Sequence, residues 1–204
     1  FDHSDSQHLL VLSDSLSSHS AKKSGEALKF RWSNEARWRT EDFVYSWKRL
    51  LDPKVRAYSV HVLENRLVGG DQAIAAARRS GAFDYDAPIE GLKALDRYTI
   101  RVRFDQPYFG FRHWLTTVQF APVAREVVDR HKDASSRVAE HPVGTGPYRL
   151  ADWRRSQKIV LEANPAWRDA RYPAPTDPAD APIAKGRTGR KLPHVPRVEI
   201  SIIE

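Results

Sequence analysis

The sequence has no cysteine and no methionine among its 204 residues. Without cysteine there is no disulfide framework, thiolate metal site, cysteine nucleophile or lipidated cysteine in this chain. No compartment follows, because cysteine-free chains occur in reducing and oxidising surroundings alike. A translated chain starts with Met, and this one opens on Phe1, so it is expected to be processed, trimmed or cut from something longer. No basic start followed by an apolar run reads as a signal peptide, which in a shortened chain says nothing about secretion. Long apolar runs are missing too. Mean hydropathy is −0.59, and no stretch approaches the roughly 20 apolar residues of a membrane helix. Charge never runs to five of one sign in a row. The G-x-S-x-G, H-E-x-x-H and Walker-type lysine patterns are absent.

Hydrophobic residues make up 41% and charged residues 29%. That supports a real core, in one large domain or two small ones. Lys and Arg number 33 against 26 Asp and Glu, a net charge of +7. Residues 28–164 hold 24 basic against 17 acidic groups. Such an excess suits nucleic acid or an anionic surface, and Arg31-Trp32-Ser33-Asn34-Glu35-Ala36-Arg37-Trp38-Arg39 interleaves arginines with aromatics that could stack on bases. The alternative is a strand with one wet face, with Arg stems lying over Trp. No nucleic-acid-binding signature accompanies the segment.

Residues 1–27 are rich in Ser, His and Asp and are expected to form an atypical, disordered or poorly packed terminus, with one strand candidate at Leu9-Leu10-Val11-Leu12. The clearest helix starts at Thr40 as N-cap, with Glu41 and Asp42 in its first turn. Phe43, Trp47, Leu50 and Leu51 form its apolar face, Lys48 and Arg49 suit the last turn, and Asp52-Pro53 stops it. A second helix runs from Asp71 to Arg79 and ends at Gly81. A third starts at Pro122 and reaches about His131. Ile100, Val102 and Phe104 alternate with Thr99, Arg101 and Arg103, which predicts a half-buried antiparallel or edge strand. Tyr148–Leu150 and Lys158–Glu162 read as a hairpin, and Val195–Ile203 as a further strand. Residues 173–193 hold five of the thirteen prolines and read as a long irregular surface loop.

Little looks catalytic. Val143-Gly144-Thr145-Gly146-Pro147 lacks the third glycine of a dinucleotide fingerprint, and Pro147 has no N–H to offer a phosphate. It reads as a tight turn into a strand. Acidic residues abound, but nothing in their order shows that two converge. His3, His8 and His19 fit no metal-ligand spacing.

Several segments do carry a signature. Glu41-Asp42-Phe43-Val44-Tyr45-Ser46-Trp47-Lys48-Arg49-Leu50-Leu51-Asp52-Pro53 is one. His141-Pro142-Val143-Gly144-Thr145-Gly146-Pro147-Tyr148-Arg149-Leu150 is another, followed by Trp153 and Ile159-Val160-Leu161-Glu162-Ala163-Asn164-Pro165. Phe83–Leu92, Leu95–Thr99 and Pro122–Val128 stand between them. In order and spacing these resemble the family 5 extracellular solute-binding proteins, the oligopeptide and dipeptide receptors of ABC importers. The resemblance covers about residues 28–204.

What the resemblance implies is a mixed α/β chain of the type II periplasmic-binding-protein kind, incomplete, with the first-lobe region present and the second lobe missing. It implies a periplasmic, monomeric, non-enzymatic protein that spans no membrane. Such a protein binds a peptide or similar solute between two lobes and passes it to ABC permease subunits, with no cofactor, metal or nucleic acid. Carried over, the segment after the first helix and the Val143–Gly146 turn approach the ligand. That names Tyr58, Ser59, His61, Thr145 and Gly146 as binding residues. Gly144 and Gly146 are expected to serve backbone geometry first, and the six tryptophans to be core or lobe-surface residues. The rival readings are a basic nucleic-acid or anion-binding domain, or a small hydrolase. With half a cleft, the 204-residue chain is expected to bind peptides weakly or not at all. Calorimetry checks this, and micromolar peptide affinity would overturn it.

Overall fold

The structure is a computed structural model that describes residues 7–11, 39–134 and 136–203. The described residues divide between Val138 and Ala139 into two compact units.

The first unit is organised around helix α1, Thr40–Leu51. Its first turn is closed by Asp42, whose carboxylate accepts the Arg39 N–H at 2.7 Å. Thr40 is therefore the first helical residue and not the N-cap. Its hydroxyl is taken by a tertiary partner, the Asp96 carbonyl, at 2.8 Å. At the other end Asp52 is extended (φ −70°, ψ 116°), as a residue before proline must be. Tyr45, Trp47, Leu50 and Leu51 are buried. The Trp47 indole donates to the Phe120 carbonyl at 3.0 Å, and its ring meets those of Phe111 and Phe120 edge-on at 6.1 and 5.7 Å.

Lys48 departs from expectation. It is buried and donates to the carbonyls of Tyr85 and Ala87 at 2.8 and 2.7 Å, so it ties α1 to a distant segment and does not cap its own helix. Burial pushes its ammonium below the usual lysine range, partly offset by Asp86 and Asp84. Beside it the Tyr85 hydroxyl donates to Asp52 at 2.6 Å. Burial, and then that bond, holds the phenol above its usual range.

Helix α2, Gly70–Ser80, buries Ile74 and Ala77 and ends on Gly81 in the left-handed region (φ 74°), the expected stop. Strand β1 (Gln7–Val11) lies within the terminal segment and is described by its backbone alone. The rest of residues 1–27 lies outside the described residues. Strand β1 forms, with β2 (Leu92–Ala94) and β3 (Thr99–Arg103), an antiparallel sheet of order β1–β3–β2. The alternating strand β3 is thus the centre of the sheet, with Ile100 and Val102 inward. A single-turn helix α3, Phe111–Trp114, brings Phe111 into the core. Helix α4 spans Arg125–His131, three residues later than expected. Ser46 Oγ accepts the Val123 N–H at 2.7 Å and holds that segment extended against α1.

The second unit is an antiparallel sheet of order β4–β5–β6, from Tyr148–Arg154, Lys158–Ala163 and Arg197–Ser201. The pairing of β4 with β5 shifts register between Leu150 and Asp152. The stretch 173–193 is not wholly irregular. It holds a 3₁₀ turn, Pro178–Asp180, and a one-turn helix α5, Ala181–Ala184. Asp177 caps the turn by accepting the Ala179 N–H at 2.8 Å. Pro178 and Pro182 stand in first-turn positions, where a missing N–H costs nothing.

Gly91 marks the tightest backbone approach. A Cβ there would lie 2.6 Å from the Arg103 carbonyl oxygen and 2.7 Å from that of Val68, two groups already bonded around it. Gly91→Ala is expected to cost about 2–3 kcal/mol and to lower the melting temperature by roughly 5–10 °C. A calorimetric melt unchanged from the parent would refute the crowding.

Candidate functional site

After Pro53 the chain forms a 3₁₀ helix, Tyr58–Val62. In a 3₁₀ helix residues three apart eclipse each other. Ser59 and Val62 therefore share the inner side, both buried, while Tyr58 and His61 share the outer one. Tyr58 is 87% exposed. Its ring stands edge-on to His61 at 6.0 Å, and the His61 ring is edge-on to Trp114 at 5.4 Å. His61 Nδ1 lies 3.0 Å from the Tyr58 carbonyl. A carbonyl only accepts, so this contact places a proton on Nδ1 and leaves Nε2 of the neutral ring as an acceptor.

The surroundings extend this face. The Trp114 indole donates to the Tyr108 hydroxyl at 2.9 Å, and the Arg66 guanidinium lies over the Tyr108 ring at 5.1 Å. His61, Glu64, Asn65, Arg66, Asp105 and Tyr108 line a cavity of about 480 Å³. Arg66 also donates to the His61 carbonyl, which fixes one wall of it. Aromatic edges, an imidazole acceptor, two carboxylates and a guanidinium are suited to recognising a polar chain with apolar side groups. They include no nucleophile held by a base.

The five residues named from sequence thus fall into three places. Tyr58 and His61 come together on an open face. Ser59 points the other way, at 1% exposure, and its Oγ is buried without a hydrogen-bond partner. In this arrangement a ligand on the outer face does not reach it. Thr145 and Gly146 belong to the second unit, in the turn before β4. Asn164, 4% exposed, anchors that turn. Its amide donates to the Gly146 carbonyl at 2.9 Å, and its backbone N–H to the Pro147 carbonyl at 2.8 Å. Gly144 and Gly146 do not have the backbone role expected of them. Neither has a positive φ, and a Cβ on either would meet nothing within 4 Å. What glycine supplies there is open backbone.

Trp114, Tyr108 and Arg66 were missed as neighbours of His61. Spacing along the chain carries no signal for Tyr108 and Trp114, which lie far from His61 in sequence; helix α3 delivers Trp114. The Arg31–Trp38 run behind the nucleic-acid reading lies outside the described residues. Among the described residues no group of three or more His, Asp or Glu could hold a metal ion, and no helix is long and apolar enough to cross a membrane.

Two small antiparallel sheets with helices interspersed make a mixed α/β chain, part of a type II periplasmic-binding-protein fold. The family described as bacterial extracellular solute-binding proteins, family 5 Middle, matches residues 29–204, and the chain belongs to it. It is 31% identical over 142 residues to the probable deoxycholate-binding periplasmic protein YgiS of Escherichia coli, a match over 70% of this chain and 25% of the relative. It is likewise 31% identical over 140 residues to the periplasmic oligopeptide-binding protein OppA of Salmonella typhimurium, covering 68% of this chain and 24% of the relative. Among solved structures, Haemophilus influenzae OppA in complex with RPPGFSPFR superposes with a TM-score of 0.53 at 28% identity, over 68% of this chain and 26% of that one. The chain thus spans about a quarter of the length of these relatives.

The exposure contrast at the site is measurable. Tyr58→Ala is expected to change stability by less than about 0.5 kcal/mol, and Trp114→Ala, whose ring packs on the core, to cost about 1–3 kcal/mol. Urea denaturation compares them. Equal losses would mean that Tyr58 is not free for a ligand.

Proposed function

We propose that the chain is part of the substrate-binding component of an ABC-type importer, a periplasmic monomer that binds peptides or similar solutes between two lobes and delivers them to a membrane permease. The observation that carries this reading is the family match along residues 29–204. The protein performs no chemistry on its ligand. The ligand acts by touching both lobes and so favouring the closed state, which is as much as differential affinity can do.

In this reading Tyr58 packs against a ligand side chain and His61 Nε2 accepts a peptide N–H. The open backbone at Thr145 and Gly146 lets an extended ligand approach closely, so main-chain bonds give affinity with little side-chain selectivity. A second reading, favoured by the name of the Escherichia coli relative, is an amphipathic carboxylate such as deoxycholate on the same aromatic face. Neither the nucleic-acid-binding domain nor the hydrolase gains support from the family.

Nuclear magnetic resonance of the labelled chain, titrated to millimolar concentration with a short-peptide mixture or with deoxycholate, tests this. Shifts confined to Tyr58, His61, the Trp114 indole, Thr145 and Gly146 are expected. Whichever ligand produces them at lower concentration identifies the class. Shifts that appear on other surfaces, or that spare Tyr58 and His61, would sink the assignment.

A further inference from the structure

The first unit carries a second cleft, of about 440 Å³, on residues apart from the Tyr58–Trp114 face. Lys54 and Arg56 line it from the loop after α1, Arg78 from the last turn of α2, and Arg137 from the segment after α4. Asp52 is the single acidic residue in the lining. Its two carboxylate oxygens are already occupied, one by the Lys54 N–H at 2.9 Å and the other by the Tyr85 hydroxyl at 2.6 Å. Two other arginines of the unit find acids, Arg125 in Asp86 and Arg103 in Glu90. A second carboxylate stands close by, that of Asp133, which accepts the Arg137 backbone N–H at 2.9 Å.

A bland account is that the cations offset the negative C-terminal ends of α1 and α2. Those ends are worth about half a charge each. With Asp52 and Asp133 they leave roughly one positive charge unanswered. A second observation concerns Arg56. Its backbone is left-handed (φ 51°), a conformation that glycine or asparagine adopts at lower cost. No local hydrogen bond of the Arg56 side chain explains an arginine there, whereas its place in the cleft lining does.

We propose that this cleft binds a phosphate-type oxyanion, free or as the monoester headgroup of a larger molecule. Donors arrive from three separate segments. A tetrahedral oxyanion offers acceptor oxygens in several directions, whereas a single carboxylate offers two in one plane. Arginine forks engage such oxygens in pairs, and Lys54 adds a compact charge. This is an additional site on a solute-binding chain, and it stands whether or not the peptide-binding reading does.

Thermal melts of the 204-residue chain in inorganic phosphate, against sodium chloride at equal ionic strength, test it. Phosphate is expected to raise the melting temperature saturably, where chloride does not. Arg78→Gln and Arg137→Gln each weaken the response about tenfold, the size of one charge-assisted bond. Arg56→Asn suits the left-handed backbone, so it keeps or slightly raises the melting temperature without phosphate while losing the response. That variant separates binding from folding. Co-sedimentation with phosphatidic acid vesicles, against phosphatidylcholine vesicles, distinguishes the sources. Binding that free phosphate competes away identifies a headgroup, and a phosphate response without vesicle binding identifies the free ion. Equal responses to phosphate and chloride, variants that respond like the parent, or binding of an acidic peptide without any phosphate response would each overturn the proposal.

Discussion

The Trp47 indole is the contact on which the first unit depends. It donates across the core to the Phe120 carbonyl, and its ring packs edge-on against Phe111 and Phe120. Burying a large apolar side chain is worth about 1.5–3 kcal/mol, and each edge-to-face aromatic pair adds roughly 0.5–1.5 kcal/mol. An indole N–H left unpaired there would cost a further 1–3 kcal/mol or so. With Trp47 in place, the other side chains of α1 fall on defined partners. Thr40 meets Asp96, Ser46 meets Val123, and Lys48 meets Tyr85 and Ala87. One helix thereby holds four otherwise separate segments.

Those partners change the meaning of the family signature. The segments that carry the resemblance are Glu41–Pro53, Phe83–Leu92, Leu95–Thr99 and Pro122–Val128, and they are the segments that α1 binds to itself. Asn164 does the same in the second unit, joining the Ile159–Pro165 segment to the Val143–Tyr148 turn. The recognisable residues are thus largely the fastenings of the fold. Tyr58 and His61 of the proposed binding face, and Trp114 beside them, stand between or beyond them. A frame fixed by such contacts can position surface side chains on the segments between them.

The charge of the chain divides along the same line. Exposed pairs such as Arg125 with Asp86 neutralise much of it, and the guanidinium holds the Asp86 carboxyl below the usual range. Lys48 differs: the Tyr85 and Ala87 carbonyls hold its ammonium, while burial makes it charge less readily than a surface lysine. Four further cations line the cleft at the ends of α1 and α2. A net charge read from composition could not distinguish these three situations.

Much of the secondary structure was legible locally. The stop at Asp52-Pro53, the cap at Gly81, the alternation of β3 and the hairpin before Ala163 follow from steric rules and short periodicities, which act between near neighbours. So did the family, because several short segments in one order are specific. The candidate site was legible only in part. Tyr58 and His61 emerged together because both lie on one 3₁₀ turn, but Ser59 between them turned inward, since that turn has a period of three. The burial of Lys48, the late start of α4 and the presence of Trp114 beside His61 were decided by tertiary structure alone. Each depends on groups far apart in the chain, 37 residues for Lys48 and Tyr85 and 77 for Ser46 and Val123. Local sequence sets which conformations are cheap. Which polar group captures which partner is set by how the core packs, and no local rule contains that.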